Sequence, residues 1–314
     1  MLKNWINEGR PRTLILGFAN CSLGCALGFY YGSVNCYTLC TAFFTVITGC
    51  LLQILCNFAN DYGDAYRNAD GPNRLGPMRA VMSGAISIPQ LKKGMAIVIL
   101  MCTLTGITAV GMAVGGDLQL LSWFVFLGVI SILAALFYTL GMAYGYKGLG
   151  DLFVLIFFGL IAVMGSQMLI TAASNNGIDF YPDTTFLALS VGASTVMVLH
   201  VASMRDIEED LLHGKKTLAA RLGYTLSRIY LIILFIATVS CSFMACLFSH
   251  KAWELTLIGA SLVPLLASTV RTVKFARDGK RIAPELKYTS LGSGIHALTW
   301  ILVLILDFWV YNWN

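Results

Sequence analysis

Nine stretches of this chain are long and apolar enough to cross a lipid bilayer, and that pattern sets its architecture before any single residue is considered. They fall at about 13–33, 37–58, 94–115, 120–143, 152–173, 184–204, 229–248, 253–270 and 289–310. A helix needs about 20 apolar residues to cover a hydrocarbon core roughly 30 Å thick. Lipid offers no partner to a free N–H or C=O, so each stretch has to be helical. The expected fold is therefore all-α, a polytopic membrane bundle of about nine transmembrane helices, with residues 1–314 forming a single domain. Composition agrees, because only 12% of the residues are charged, about half the share a soluble surface requires. Gly24, Gly28, Gly106 and Gly111 lie inside the spans and suit close approach of helices. The nine cysteines sit mostly in apolar runs, without a CxxC pair or a zinc-like spacing, and read as small packing residues.

The basic residues give the orientation. Lys3, Arg10 and Arg12 precede a first run long enough to stay in the membrane, unlike a cleaved signal. With the N-terminus cytoplasmic, the inner segments hold 20 of the 21 Lys and Arg, and Lys251 alone falls outside. The positive-inside rule predicts such a bias. The chain is expected in the cell (inner) membrane, multi-pass within the lipid bilayer, with no nucleic-acid partner.

Two inner segments concentrate the acidic residues. The first runs from Asn57 through Asn60, Asp61, Asp64 and Arg67 to Asp70. If the second span continues as a helix, Asn57 and Asp61 are i,i+4, Asn60 and Asp64 likewise, and Asp61 and Asp64 are i,i+3, so all share one side. The second carries Arg205, Asp206, Glu208, Glu209 and Asp210, then His213, Lys215, Lys216 and Arg221. Asp206 and Asp210 are again i,i+4. Clustered carboxylates repel one another near lipid, so a cation is expected among them. Mg²⁺ is suited, because it takes oxygen ligands, keeps waters and binds a few carboxylates together with substrate phosphates. Arg74 and Arg79 follow the first cluster as the lysines follow the second, which fits a diphosphate. Solvated helix ends and simple positive-inside anchoring would explain either half of this pattern alone; the repeated acid-then-base order points to a metal-bound diphosphate on a greasy substrate. A cation-coupled transporter is the competing class, but its coupling carboxylates belong near the midplane in broken helices.

Three stretches carry a family resemblance. Asn60–Gly84 (NDYGDAYRNADGPNRLGPMRAVMSG), Met204–Gly223 (MRDIEEDLLHGKKTLAARLG) and Tyr144–Ser166 (YGYKGLGDLFVLIFFGLIAVMGS) resemble the UbiA-type intramembrane prenyltransferases, and within them the naphthoate branch of menaquinone biosynthesis. The resemblance extends over essentially the whole chain. It implies Mg²⁺-dependent transfer of a polyprenyl group from polyprenyl diphosphate to 1,4-dihydroxy-2-naphthoate with loss of CO₂, giving a demethylmenaquinol; 4-hydroxybenzoate or a chlorin would be the acceptor in other branches.

By that resemblance Asp61, Asp64, Asp206 and Asp210 match the metal-holding and catalytic positions, with Asn60 beside them. Asp70 fits a later acidic position of the first motif, and Arg79, Arg205, Lys215 and Lys216 match positions near the diphosphate, either lysine being able to serve. Tyr138 matches a tyrosine ending the fourth span, and Asp151 a loop carboxylate toward the acceptor. Asn73, Ala143 and the His200–Ser203 lead depart from the family's pattern without removing a motif aspartate. His200 itself reads more readily as a hydrogen-bonded structural group than as a base. Tyr138, Tyr144, Tyr146, Phe157 and Phe158 suit either an allylic cation or ordinary packing.

Overall fold

A computed structural model describes residues 2–67, 75–76, 79–174, 177–249 and 252–312. The helices are α1 (Leu2–Glu8), α2 (Pro11–Tyr31), α3 (Cys36–Tyr66), α4 (Ile88–Val114) and α5 (Leu118–Phe137), followed by a 3₁₀ turn at Tyr144–Lys147. The fifth span is composite, with α6 (Gly150–Val154), a π-helical stretch (Leu155–Gly165) and α7 (Ser166–Ala173) in one rod. Then come α8 (Pro182–Arg205), α9 (Ile207–Leu212), α10 (Leu218–Ser249), α11 (Ala252–Lys274), α12 (Gly279–Ile282) and α13 (Glu285–Asn312). Among the described residues there is no strand, and nine helical stretches are long and apolar enough to span a membrane.

Local chemistry fixes the starts of these helices. Pro11 and Pro182 occupy first-turn positions, where a missing N–H costs nothing. Asn35 and Thr38 form a reciprocal capping box at α3, as do Ser87 and Gln90 at α4, and the Asp117 carboxylate accepts from the N–H groups of Gln119 and Leu120 at α5. Several helices outrun the apolar runs that announce them. α3 continues to Tyr66 rather than stopping near 58, α4 starts at Ile88 rather than 94, and α10 starts at Leu218 rather than 229. Apolar runs mark contact with lipid, whereas a helix persists wherever its polar side chains find partners. In α10 the break lies at Gly223, whose φ of 66° bends the chain between a basic first turn and the membrane-embedded rod.

Packing follows membrane logic. Large apolar side chains such as Leu104, Trp123, Phe126, Ile233, Val263 and Leu302 point outward, while small and polar groups meet inside. α8 is the most buried span and packs against α10, the π-helical stretch and α13. The His296 ring lies within 3.0–3.1 Å of the hydroxyls of Ser190, Ser242 and Ser261, tying four spans together in a fully buried knot. Gly24 and Gly28 allow α2 to press onto the fifth span, where an added Cβ would come within 2.3 Å of the Val163 carbonyl oxygen and 2.4 Å of Ile170 Cβ respectively. The expectation for the other two glycines is corrected. A Cβ at Gly106 would meet Thr48 at an ordinary 3.5 Å, and one at Gly111 would meet nothing within 4 Å, so neither brings helices together.

The connections sort into two ends. N–H to carbonyl and side-chain contacts gather α1, the segment around Arg79, the 3₁₀ turn and the 206–217 segment at one end. The segments around Gly116 and Ile178 belong to the other. We predict that cysteines replacing Ser83 and Leu212, in a background without native thiols, label from one side of sealed vesicles, and that cysteines replacing Gly116 and Ile178 label only from the opposite side. Labelling of Ser83 and Ile178 positions from the same side would refute the nine-span topology.

Candidate active site

The last two turns of α3 carry the first acidic motif, so its register as a helix is realised. Asp61 and Asp64 are 2% and 0% exposed. Such burial is sustained by cations on several sides. Arg79 reaches back from the segment after α3, placing Nη1 2.9 Å from Asp61 Oδ1 and its other terminal nitrogen on Asp64. Arg79 also donates to the Asn60 carbonyl oxygen at 3.2 Å. Arg10, the residue before α2, pairs with the same Asp61 oxygen. The Asn60 amide, with nitrogen toward Asp64, donates to Asp64 Oδ2 at 3.2 Å and accepts from Arg10 Nη1 at 3.3 Å. The Tyr146 hydroxyl donates to Asp64.

The second motif forms where α8 ends and α9 begins. Asp206 sits at that junction and accepts from Arg205 Nε at 2.7 Å. Asp210, on α9, accepts from the Thr217 hydroxyl at 2.9 Å. Gly214 has φ of 70°, which turns the chain so that the Lys215 N–H donates to the Asp210 carbonyl oxygen at 2.7 Å. The Lys215 side chain then points inward, its Nζ 3.9 Å from both Asp64 Oδ1 and Asp210 Oδ1. One lysine thus bridges the two motifs. It also lies 5.1 Å from the centre of the Tyr146 ring, which Arg67 approaches at 4.7 Å. Lys216 is different, because its side chain is exposed and only its backbone takes part, donating to the Tyr146 carbonyl oxygen at 3.0 Å. Burial pushes the Asp210 carboxyl up to about 6, against the opposing pull of Lys215 and Thr217.

Below these groups opens a cavity of about 1360 Å³. Asn60, Asp61, Arg10, Arg79 and Arg205 line its charged mouth. Tyr138, Tyr144, Phe153, Phe157 and Phe158 form an aromatic wall next to it, and the far part reaches apolar residues such as Phe124 and Leu169. Tyr144 stacks on Phe153 at 3.8 Å between ring centres and meets Tyr138 edge-on at 5.4 Å. The π-helical stretch presents Phe157, Phe158 and Ile161 to this space, and Asn20 of α2 donates to the Phe158 carbonyl oxygen at 2.8 Å. Such π segments recur at functional sites.

Not every residue singled out from sequence reaches the cavity. Asp151 lies in α6 rather than a loop, buried behind the cavity wall with Oδ2 3.3 Å from His200 Nδ1. His200 is fully buried and its Nε2 donates to the Ser227 carbonyl oxygen at 3.2 Å, so it is a structural group as expected. Asp70, Asn73 and Arg74, with His250 and Lys251, lie outside the described residues. Two residues were overlooked as members of the site, namely Glu8 and Arg10, whereas Tyr146, named among the aromatic candidates, joins it through its hydroxyl on Asp64. The available sign for the overlooked two was the acid–base pair Glu8 and Arg10 in an otherwise basic leader. Glu8 packs on Asp61 while its Oε2 accepts from the Ala80 N–H at 3.1 Å, and burial together with the neighbouring Asp61 pushes its carboxyl up to about 8.

The donor chemistry fits a hard divalent cation. Asp61, Asp64 and Asp210 offer buried carboxylate oxygens from two converging helix ends, with Asp206 at their rim. Among the described residues no three acidic, His or Cys side chains form a ready-made cage.

Comparison with known proteins identifies the family. The chain is 36% identical to the 1,4-dihydroxy-2-naphthoate octaprenyltransferase of Escherichia coli (strain K12) over 307 residues, covering 97% of this chain and 96% of that one. It is 36% identical to the enzyme of the same name from Haemophilus influenzae over 92% of each chain, and 33% identical to that of Mycobacterium leprae over 94% and 93%. The solved apo structure of a UbiA homologue from Aeropyrum pernix K1 superposes with a TM-score of 0.69 at 14% identity, covering 92% of this chain and 97% of that one, and so shares the fold. The UbiA prenyltransferase family matches residues 21–291. With that match, and with these identities over nearly its full length, the chain belongs to the UbiA prenyltransferase family.

Proposed function

We propose that the whole chain works as one intramembrane enzyme that transfers a polyprenyl group from polyprenyl diphosphate to 1,4-dihydroxy-2-naphthoate, releasing CO₂ and diphosphate. The observation that carries the chemistry is the convergence of Asp61, Asp64 and Asp210 around Arg79 and Lys215, directly above an aromatic-walled cavity. The names and coverage of the bacterial relatives support the choice of acceptor. In this reading the N-terminus and the charged mouth face the cytoplasm of a bacterial inner membrane, an orientation that the 20-to-1 distribution of basic residues supports.

Each group then has a task. Asp61, Asp64, Asp206 and Asp210 would hold Mg²⁺, which when bound supplies positive charge to the departing diphosphate. Arg79, Arg10 and Lys215 are the protein's own cations at the same place, and Arg205 lines the mouth on the α8 side. They stabilise the electron pair that leaves with the diphosphate oxygen as the allylic C–O bond breaks. The cavity takes the tail and excludes water, and the faces of Tyr138, Phe157 and Phe158 stabilise the allylic cation. The ring carbon bearing the carboxylate attacks, a C–C bond forms, and the C–CO₂ bond breaks with its electrons returning to the ring. No ring proton has to be removed, so this reaction needs no dedicated base near the acceptor. The placement of Asp151 and His200 behind the wall accords with that.

Four measurable outcomes follow from these assignments. Turnover of Asp64→Asn and Lys215→Ala should fall about 10²-fold, the scale for electrostatic groups acting on a developing charge. Lys216→Ala should stay within about threefold of wild type, as for an exposed side chain; equal losses in the two lysine variants would remove Lys215 from the site. pH should act through Asp210. A raised carboxyl is protonated below its titration point, so a divalent cation must displace a proton there. The Mg²⁺ concentration for half-maximal turnover should therefore rise as pH falls below about 6 and level off above it; a pH-independent requirement would exclude Asp210 as a ligand. For the acceptor, mass spectrometry with carboxyl-labelled 1,4-dihydroxy-2-naphthoate should find one label released per product, with 4-hydroxybenzoate a poor substrate. Retained label, or preference for hydroxybenzoate, would move the protein to another branch of the family.

A further inference from the structure

A polar side chain well inside the cavity lacks a protein donor. Gln53 lies on α3, on the face that it shares with Asn57 and Asp61, which follow it at i+4 and i+8. It lines the cavity and is 8% exposed, yet among the described residues nothing donates to its Oε1. An oxygen buried without a donor destabilises a fold. Its presence in a membrane span therefore calls for a partner that the protein itself does not supply.

The neighbours of Gln53 narrow down that partner. Gly17 of α2 stands beside it, where an added Cβ would come 3.4 Å from Gln53 Cβ, so the two helices approach closely and the amide is left to the cavity. Nearer the mouth, Asn57 is already engaged, its side-chain amide donating to the Gly9 carbonyl oxygen at 3.0 Å in a buried bond between α3 and the end of α1. From Asp61 back to Gln53 the helix descends about 12 Å. The diphosphate belongs with Arg10, Arg79 and Lys215 at the mouth, and a polyprenyl tail carries no donor. Of the groups that the proposed reaction brings into the cavity, only the hydroxyls of the aromatic acceptor can donate to a neutral oxygen at that depth.

We infer that Gln53 binds the aromatic acceptor, its Oε1 accepting from the hydroxyl beside the ring carbon that is alkylated. The inference rests on the reading of the chain as a naphthoate prenyltransferase. Chemistry selects that hydroxyl. When the ring carbon gives its electron pair to the allylic cation, positive charge spreads to the adjacent C–OH oxygen and its proton becomes more acidic. The second hydroxyl is meta to the alkylated carbon and takes none of this charge. A fixed acceptor on the first O–H is therefore bound more strongly in the transition state than in the ground state. The proton stays on the hydroxyl, because the C–CO₂ bond then breaks and its electrons quench the charge, so a neutral amide oxygen suffices.

Gln53→Leu in the full-length protein removes an oxygen to which no protein group donates, so its melting temperature should not fall. Its kcat/KM for 1,4-dihydroxy-2-naphthoate should drop about tenfold or more, with the KM for polyprenyl diphosphate unchanged. Inhibition constants against the same acceptor supply a readout that a packing role would not move. 1-Hydroxy-2-naphthoate, which keeps the hydroxyl in question, should bind Gln53→Leu about tenfold more weakly than wild type. 4-Hydroxy-2-naphthoate, which lacks it, should bind both proteins equally. Wild-type kinetics in Gln53→Leu overturn the assignment and leave water as the partner of Oε1; equal losses for the two analogues overturn it in favour of packing. Failure of the wild-type protein to prenylate 1,4-dihydroxy-2-naphthoate would instead overturn the underlying choice of acceptor.

Discussion

Carboxylates buried at the edge of a membrane have to be neutralised on the spot, and the whole charged end of this protein is organised around that requirement. Asp61 and Asp64 are almost wholly withdrawn from solvent, in a setting where an uncompensated charge costs several kcal/mol. Arg79 spans both, Arg10 joins it on Asp61, and Lys215 joins Asp64 to Asp210. Each of these cations comes from a different segment, so the electrostatic demand of one helix end pulls together the N-terminal leader, the segment after α3 and the segment after α9. The 3₁₀ turn is recruited by the same demand, through Tyr146 and its ring contacts with Arg67 and Lys215.

This arrangement divides labour between a rigid interior and a charged rim. The interior is held by small residues and hydroxyls, with Gly24 and Gly28 bringing α2 onto the fifth span and His296 gripping three serines. Those contacts leave a cavity of about 1360 Å³ whose wall is aromatic next to the carboxylates and aliphatic farther away. A substrate with an anionic head, an allylic centre and a long hydrocarbon tail matches that gradient from end to end. The cations that neutralise the aspartates are also those that the proposed diphosphate would meet, so in that reading charge balance and catalysis use the same side chains.

The Asp151–His200 pair shows how position changes a residue's meaning. In sequence Asp151 stands in a motif that suggests the acceptor side, but a helix begins at Gly150 and turns the carboxylate away from the cavity toward His200. His200, in turn, is fixed by the Ser227 carbonyl oxygen, and Tyr230 meets its ring edge-on at 4.7 Å. The pair braces α6 and α8 against α10 behind the aromatic wall.

The sequence alone determined the membrane architecture, because a run of apolar residues in lipid has only one way to satisfy its backbone. It determined the face shared by Asn57, Asn60, Asp61 and Asp64 as well, since helical register follows from spacing. It did not determine where α3, α4 and α10 end, as those helices extend into polar segments stabilised by contacts distant in the chain. The choice between Lys215 and Lys216 was also beyond it: adjacent residues are equivalent in composition, and the turn at Gly214 alone sends one inward and leaves the other exposed. Glu8 and Arg10 read as an ordinary leader until the bond from Asn57 to Gly9 carries them onto Asp61. Spacing along one helix is local and legible, whereas the meeting of charges from separate segments depends on how the spans pack, and that only the tertiary structure decided.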